Sequence, residues 1–213
     1  AGDPIDVATI DFLAKGGWYP DQLIAHIPPS QAECTVEKIA INAMMAGAPA
    51  ESLSLICACI ESMCDPKFDI GGLNATTGAV APAHIVNGPV RDALGIPYQA
   101  GAFGGVAGAA PAIGRAIRLI MRNVAGQRIG VSSQSVFGMP ARVTGLVMGE
   151  WEEASPWAPL AERRGVTGSA VTCYGPMGTM NIFDNTAQNG AEFLEVIGKS
   201  MAEPGANGYT PAC

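Results

Sequence analysis

Apolar residues recur at helical spacing through the first third of the chain. Thr35 is placed to cap one such helix at its start, and Gly47 is placed to end it. The next apolar run stops at Asp65-Pro66, because proline cannot continue a helix. Four helices are therefore predicted in this part, over residues 6–14, 20–26, 36–46 and 50–64.

Beyond this part, short apolar runs alternate with helical patterns. Strands are predicted at 83–86, 142–148 and 168–174, and helices at 89–94, 111–124 and 187–201. The alternation predicts an α/β or α+β fold, with a small mixed sheet flanked by helices and a helical N-terminal part. We expect a single domain over 1–213, within which residues 1–65 could form a helical lobe.

The composition is typical of a folded chain with few charges. Hydrophobic residues make up 48% and charged residues 15%, the reverse of a disordered sequence. Apolar stretches end before the ~20 residues of a membrane span, and the net charge of −7 disfavours nucleic acid as a partner. Scarce polar groups favour a homo-oligomer, or a hetero-oligomer with a second chain. No secretory signal is recognised, so a cytoplasmic location is expected.

Six cysteines and two histidines occur without a C-x-x-C pair or an H-E-x-x-H motif. Cys57, Cys59 and Cys64 fall on one predicted helix, where Cys59 points away from Cys57. No metal site is predicted, the three thiols are expected in the core rather than in redox chemistry, and no particular cofactor is indicated. His84, in a predicted strand, is expected to be a core histidine rather than a catalyst.

A glycine-rich loop at 101–108 precedes the longest predicted helix. It lacks the G-K-[ST] of a Walker A loop and the G-x-G-x-x-G spacing of a dinucleotide site. Two interpretations stay open, namely binding of a small anion by backbone N–H groups and a tight turn against other backbone.

The helix predicted at 111–124 carries arginines on the side opposite its apolar stripe. Arg115, Arg118 and Arg122 lie within about 60° of one another around its axis. Three interpretations stay open: a solvated face, a salt-bridged subunit contact, and an anion or carboxylate site built on the guanidinium forks. In the third, Arg115 and Arg118 are the candidate substrate-binding clamp.

Three carboxylates follow the strand predicted at 142–148, namely those of Glu150, Glu152 and Glu153. Sites in α/β folds gather at the carboxyl ends of strands. Mutual repulsion beside nearby tryptophans would raise the pKa of one carboxyl, which suits a general acid or base. The alternative interpretation is a solvated acidic turn.

Five further polar residues complete the candidate site. Lys38 lies on a helix that is apolar on most sides, so it must pair with a carboxylate or lower its pKa, and it is a fourth catalytic candidate. Asn42, four residues further, would orient a substrate together with it. Asn87, Thr76 and Thr77 lie in predicted loops and could offer neutral hydrogen bonds to a substrate.

Four stretches resemble one bacterial protein family: TVEKIAINAMMAG (35–47), HIVNGPVRDALGI (84–96), IGRAIRLIMRNVAG (113–126) and EEASPWAPLAERRG (152–165). Members of that family are associated with, and often fused to, UGSC-type (seleno)protein domains. Those domains are similar to redox proteins with selenocysteine or cysteine in a Gly-Ser-Cys context. This chain has no such context, so the resemblance implies that any selenol or thiol comes from another chain.

Three functional hypotheses follow. In the first, the chain is an enzyme subunit that transforms a small polar molecule by acid–base chemistry (hydration, elimination or hydrolysis), with its site at an oligomer or subunit interface. In the second, it is a non-catalytic or half-site subunit that partners a thiol- or selenol-bearing redox chain. In the third, it is a plain ligand-binding module.

Overall fold

The computed structural model of the protein describes residues 4–103 and 108–202. Part of the predicted glycine-rich loop (104–107) and Cys213 lie outside the described residues. Contacts divide the chain into two compact units, Ala1–Gly178 and Thr179–Cys213. None of the described helices is long and apolar enough to cross a membrane.

The elements alternate along the chain. Helices α1 to α9 are, in order, Pro4–Gly16, Val36–Ala46, Leu53–Met63, Ile70–Ala75, Val90–Ala93, Ala110–Asn123, Ala141–Thr144, Leu160–Arg163 and Gly190–Met201. Strands β1 to β5 are Leu23–Ile27, Ala32–Thr35, Ala83–Asn87, Leu146–Gly149 and Ala170–Tyr174. A short 3₁₀ turn at Ala50–Ser52 leads into α3.

Helix α2 begins and ends where the sequence predicts. The Thr35 hydroxyl accepts a hydrogen bond from the Lys38 backbone N–H at 3.5 Å, which satisfies a donor at the helix start. Gly47 has a left-handed backbone (φ 79°), and its N–H returns to the carbonyls of Ala43 and Met44. The prediction of this helix is therefore confirmed.

The prediction of a helix at 20–26 is wrong. Leu23–Ile27 is strand β1, and it pairs antiparallel with β2 in a two-stranded sheet. The turn between them contains Gln31 at φ 58°. Backbone pairing with β2 outweighs the helical pattern of so short a segment. The N-terminal part is therefore not purely helical, because it contains a hairpin.

The strand predicted at 142–148 is too long. Ala141–Thr144 is the one-turn helix α7, and β4 begins only at Leu146. Gly145 separates the two elements with φ 69° and ψ 175°, a conformation that other residues rarely adopt. The break places Arg142 on a helix rather than in the sheet.

The main sheet has three strands in the order β4-β3-β5. Strand β3 pairs parallel with β4, where Ile85 lies opposite Met148, and antiparallel with β5, where Ile85 lies opposite Thr172. The fold is therefore α+β with a small mixed sheet, as predicted. The parallel pairing places the carboxyl ends of β3 and β4 at the same end of the sheet.

Helix α6 is the centre of the packing around this sheet. It contacts α2, α3, α7 and β4, and its apolar stripe of Ile113, Ile117 and Ile120 is buried as predicted. Gly114 lets α6 lie against the turn between α7 and β4: a methyl group there would be 2.6 Å from the Thr144 carbonyl oxygen. This close approach holds α7 beside α6.

In the Thr179–Cys213 unit, α9 begins after Asn189. The Asn189 side chain accepts hydrogen bonds from the backbone N–H groups of Ala191 and Glu192, both at 3.1 Å. None of the residues of α9 is buried. The helix is therefore stabilised mainly by its cap and by local pairs such as Glu195 with Lys199.

Candidate functional site

The Ala1–Gly178 unit contains a cavity of about 860 Å³ between α6, α7 and the segment 127–140. Four arginines contribute to its lining, and no described aspartate or glutamate does. The four arginines are Arg115, Arg118, Arg122 and Arg142. In a chain with a net charge of −7, this is a local excess of positive charge. We call it the arginine cavity.

Two features of the chain bring these arginines together. Arg115, Arg118 and Arg122 follow one another at three- and four-residue spacing on α6, so they share one face over roughly 10 Å. Arg142 comes from α7, which lies beside that helix. Arg118 Nε donates a hydrogen bond to the Arg142 backbone carbonyl oxygen at 2.9 Å, and this bond joins the two helices.

Arg118 is oriented by neutral partners. Its side chain is half-buried, and Arg118 Nη2 donates to Gln127 Oε1. Gln127 is itself held by Asn74, whose Oδ1 accepts from Gln127 Nε2 at 2.8 Å. These amides fix the guanidinium plane without balancing its charge.

Arg142 is held in the same manner. Its Nε donates to the Val80 carbonyl oxygen at 2.8 Å and its Nη2 to the Leu73 carbonyl oxygen at 3.2 Å. Its Nη1 donates to Ser133 Oγ at 2.7 Å. All three acceptors are neutral, so none of them balances the positive charge of the half-buried guanidinium.

No described carboxylate forms an ion pair with any of the four arginines. Burial, and then the charge of Arg142, lowers the pKa of Arg118 to about 10. Burial also lowers the pKa of Arg142. Both groups stay protonated at pH 7, but each lowered pKa means that the charged form is disfavoured where it lies. An anion in the cavity would oppose both effects.

Apolar side chains also contribute to the lining of the arginine cavity. Val136 and Phe137 on the segment 127–140 are 83% and 99% exposed, and Val143 on α7 is 70% exposed. Leu119 and Ile129 contribute to the same lining. The cavity lining therefore combines cationic and apolar side chains, and we call the apolar group its apolar side.

The three glutamates predicted as catalytic lie at the carboxyl ends of β3 and β4. Glu150 Oε2 accepts from Asn87 Nδ2 at 2.6 Å and from the Leu160 backbone N–H at 2.8 Å. Glu152 Oε1 accepts from the same Asn87 Nδ2 at 2.8 Å and from the Gly88 backbone N–H at 2.7 Å. Asn87, predicted to bind substrate, is therefore brought together with the glutamates.

Arg91 is the cation of this glutamate cluster and is only 3% exposed. Its Nη2 donates to Glu153 Oε1 at 2.7 Å, its Nε lies 3.5 Å from Glu152 Oε1, and its Cζ lies 4.5 Å from the centroid of the Tyr98 ring. Hydrogen bonding to Arg91 lowers the pKa of Glu153, the opposite of the rise expected from mutual repulsion. The carboxylates act here as acceptors that tie the β3–α5 turn to the segment after β4. Their role in catalysis stays a prediction.

The arginine cavity and the glutamate cluster lie at opposite ends of β4. Arg142 precedes this strand and Glu150 follows it, and four extended residues span roughly 10 Å. Within one chain, the glutamates therefore do not lie beside the α6 arginines. Local spacing could not reveal this, because the separation depends on the direction of β4. The acid–base hypothesis combines the two groups in one site at an oligomer or subunit interface, and that arrangement stays a prediction.

Lys38 and Asn42 lie apart from both groups. Lys38 is exposed, and its Nζ donates to the Glu33 carbonyl oxygen at 2.7 Å, so the expectation of a lysine with little water is wrong. The hairpin leaves that side of α2 open to solvent. Asn42 is buried, where its Nδ2 donates to the Lys38 carbonyl oxygen at 2.8 Å and its Oδ1 accepts from Asn123 Nδ2 at 2.7 Å. It joins α2 to α6.

Thr76 and Thr77 follow helix α4. Thr76 Oγ1 accepts from the Gly78 backbone N–H at 3.1 Å and so closes a local turn. The Thr77 carbonyl oxygen accepts from the Val136 backbone N–H at 3.0 Å, which ties it to the segment that lines the arginine cavity. Their hydroxyl groups are not among the cavity lining in the described part of the chain.

Cysteine and histidine side chains offer little metal chemistry here. Across residues 4–103 and 108–202, no group of three or more His, Cys, Asp or Glu is arranged to hold a metal ion. Burial raises the pKa of Cys57 to about 12 and that of Cys59 well above its usual range. Thiols that stay protonated are poor nucleophiles and ligands, so these two residues act as core packing.

His84 is 1% exposed in β3. Burial lowers its pKa to about 4, and the backbone of Cys59 and of Leu146 opposes this change more weakly. The imidazole is therefore neutral at pH 7. Its burial confirms a position in the core, although no described group lies in hydrogen-bond geometry with either ring nitrogen.

Lowering the pH from 7 to 5 is expected to reduce the free energy of unfolding by about 2 kcal/mol through His84. The unfolded imidazole binds a proton below a pH of about 6.5, whereas the folded one does so only near 4. This stability is therefore present above pH 6.5 and lost as the pH falls toward 4. Urea denaturation at both pH values measures the loss, which should shrink in His84→Gln. An equal loss in the variant would contradict the assignment.

The sequence pattern does not identify Arg142 or Arg91 as a site residue. The local pattern places Arg142 in a strand, and its approach to Arg118 depends on a backbone contact that no pattern reveals. A signal for Arg91 does exist, because the turn after a predicted strand places it near the carboxyl end where the glutamates are expected.

No family model, curated protein or solved structure matches the chain. The resemblance to the family associated with UGSC-type (seleno)protein domains therefore stays a prediction. The function has to be inferred from the geometry of the site.

Proposed function

We propose that the protein binds a small anionic molecule in the arginine cavity. The main support for this proposal is the lining, to which four arginines contribute and in which no described carboxylate forms an ion pair with them. Guanidinium forks suit carboxylate and phosphate oxygens because they present paired N–H donors. The proposal corresponds to the ligand-binding module among the three hypotheses. It keeps Arg118 in the anion clamp, with Arg142 rather than Arg115 beside it.

The energetics of Arg118 and Arg142 support an anionic ligand. Two half-buried guanidiniums are unfavourable together, because each loses water and each repels the other. A negative partner offsets this cost, and charge-assisted hydrogen bonds contribute about 1.5–3 kcal/mol each. Such a ligand binds the folded chain and not the unfolded one, so it also stabilises the fold.

Both guanidiniums are held in place by the protein itself. Arg118 bonds to Gln127 and to the Arg142 backbone, and Arg142 bonds to three groups of its own. Little side-chain freedom is therefore lost when a ligand binds. This favours a binding site over a solvated face, in which arginine side chains move freely.

The proposal covers binding and not a reaction. The described lining of the cavity contains no aspartate, glutamate, histidine or cysteine, so no usual general base lies beside a bound anion. Acid–base catalysis at Glu150, Glu152 or Glu153 stays a prediction. The same holds for an oligomer and for a partner chain that supplies a thiol or selenol.

Isothermal titration calorimetry with inorganic phosphate tests the proposal. Arg115 and Arg122 are exposed, so the double variant Arg115→Gln/Arg122→Gln should fold normally. Its phosphate affinity is expected to fall about tenfold, or about 1.4 kcal/mol of binding free energy. The matched control Arg163→Gln/Arg164→Gln removes two exposed arginines outside the cavity and should bind like the unaltered protein.

Two results would contradict the proposal. Equal losses of affinity in the two double variants would mean that phosphate responds only to the net charge of the chain. The absence of any heat of binding to the unaltered protein at millimolar phosphate would mean that the cavity does not bind this anion.

A further inference from the structure

Building on the proposed anion binding, we infer that the ligand is an amphipathic dianion. Its phosphate-like head group is bound between Arg118 and Arg142, and its apolar body lies against Phe137. The inference rests on the number of unbalanced charges, on the donors that remain, on the size of the cavity and on its apolar side.

The charge of the head group follows from the two half-buried arginines. Neither Arg118 nor Arg142 has an ion-pair partner among the described residues. A carboxylate brings one negative charge, whereas a phosphomonoester carries about −1.5 to −2 at pH 7 and three acceptor oxygens. A dianion therefore offsets both guanidiniums at once, and a monoanion offsets one.

Donors remain on both guanidiniums to hold such a group. Arg118 uses Nε and Nη2 for internal bonds, and its Nη1 makes no hydrogen bond to a described residue. Arg142 directs each of its two Nη atoms to a single acceptor, which leaves a further N–H on each. The head group can therefore bind without breaking the bonds that orient the two side chains.

The size of the cavity leaves room for more than a head group. Its volume of about 860 Å³ lies in the roughly 300–1,000 Å³ range of pockets that hold whole small molecules. An inorganic phosphate ion is far smaller and would leave most of this volume to water. The cavity can therefore hold a ligand whose body extends beyond the arginines.

Apolar side chains in the same lining indicate that this body is apolar. Val136, Phe137 and Val143 line the cavity with aliphatic or aromatic side chains and remain largely open to solvent. Phe137 is 99% exposed, so covering its side chain removes apolar surface from water and favours binding. An aromatic or aliphatic group attached to the head group would cover it in the same binding event.

Calorimetric titrations with inorganic phosphate, phenyl phosphate and benzoate separate these contributions. The unaltered protein is expected to bind phenyl phosphate about tenfold more tightly than phosphate or benzoate. In Phe137→Ser the advantage of phenyl phosphate over phosphate should disappear. Phe183→Ser is a matched control, because Phe183 is also largely exposed and lies outside the cavity lining.

Each contrary result overturns a different statement. If phenyl phosphate binds no more tightly than phosphate, the inference that the ligand has an apolar body is wrong, while the proposed anion binding is unaffected. If benzoate binds as tightly as phenyl phosphate, the dianionic head group is wrong. If neither phosphate nor phenyl phosphate binds, the proposed function itself fails. Analytical ultracentrifugation could show that the unaltered protein is a dimer and that Phe137→Ser is a monomer. The apolar side would then contact a second copy of the chain, and the inference of an apolar ligand body would be wrong.

Discussion

Arg91→Met is expected to lower the free energy of unfolding by about 4 kcal/mol, because it removes a buried cation whose partners stay behind. Arg91 is 3% exposed and bonds to Glu153, to the Gly88 carbonyl oxygen and to the Glu150 carbonyl oxygen. Without it, Glu152 loses its cation near the buried Asn87 side chain. Urea denaturation at pH 7 measures the change.

Two matched variants isolate the effect of burial. Arg163→Met makes the same substitution at an exposed position and should leave the stability nearly unchanged. Glu153→Gln removes the more exposed partner of Arg91 and should change the stability much less than Arg91→Met. If Arg91→Met is no more destabilising than Arg163→Met, the glutamate cluster does not stabilise the fold as described.

Gly145→Ala is expected to lower the free energy of unfolding by about 3 kcal/mol and to weaken phosphate binding. Gly145 has φ 69° and ψ 175°, and an added methyl group would collide with the backbone of Gly114 on α6. Since backbone cannot yield as a flexible side chain does, α7 must move away from α6. That movement would separate Arg142 from Arg118. Thermal unfolding and phosphate calorimetry on the same variant report the two effects.

Gly165→Ala provides the control for backbone conformation alone. Gly165 has φ 75°, but an added methyl group there would meet nothing within 4 Å. Its substitution should therefore lower the stability by about 1 kcal/mol and leave phosphate binding unchanged. Equal destabilisation in both variants would show that the contact between Gly114 and Gly145 contributes nothing.

The fold could be predicted from the sequence where local signals and packing agree. Thr35 and Gly47 mark the ends of α2 because a hydroxyl cap and a left-handed glycine are chemical requirements of helix ends. The segment 20–26 could not be predicted, because its strand depends on pairing with residues further along the chain. Gly145 divides a predicted strand for the same reason, since its backbone is set by contact with α6.

The candidate site could be predicted only in part. Arg115 and Arg118 are correctly placed together because a helical repeat fixes which residues share a face. Arg142 joins them through tertiary contact, and that contact turns an arginine face into a cavity. For the glutamates, the sequence predicts their position after a strand. It does not predict that the buried Arg91 pairs with Glu152 and Glu153.

Anion binding between Arg118 and Arg142 can be seen in a crystal structure of the protein soaked with tungstate, a phosphate analogue that scatters X-rays anomalously. We expect an anomalous peak within hydrogen-bond distance of both guanidiniums, and its loss in Arg142→Gln crystals. If tungstate binds elsewhere and leaves the arginine cavity to solvent, no anion site exists between these two arginines.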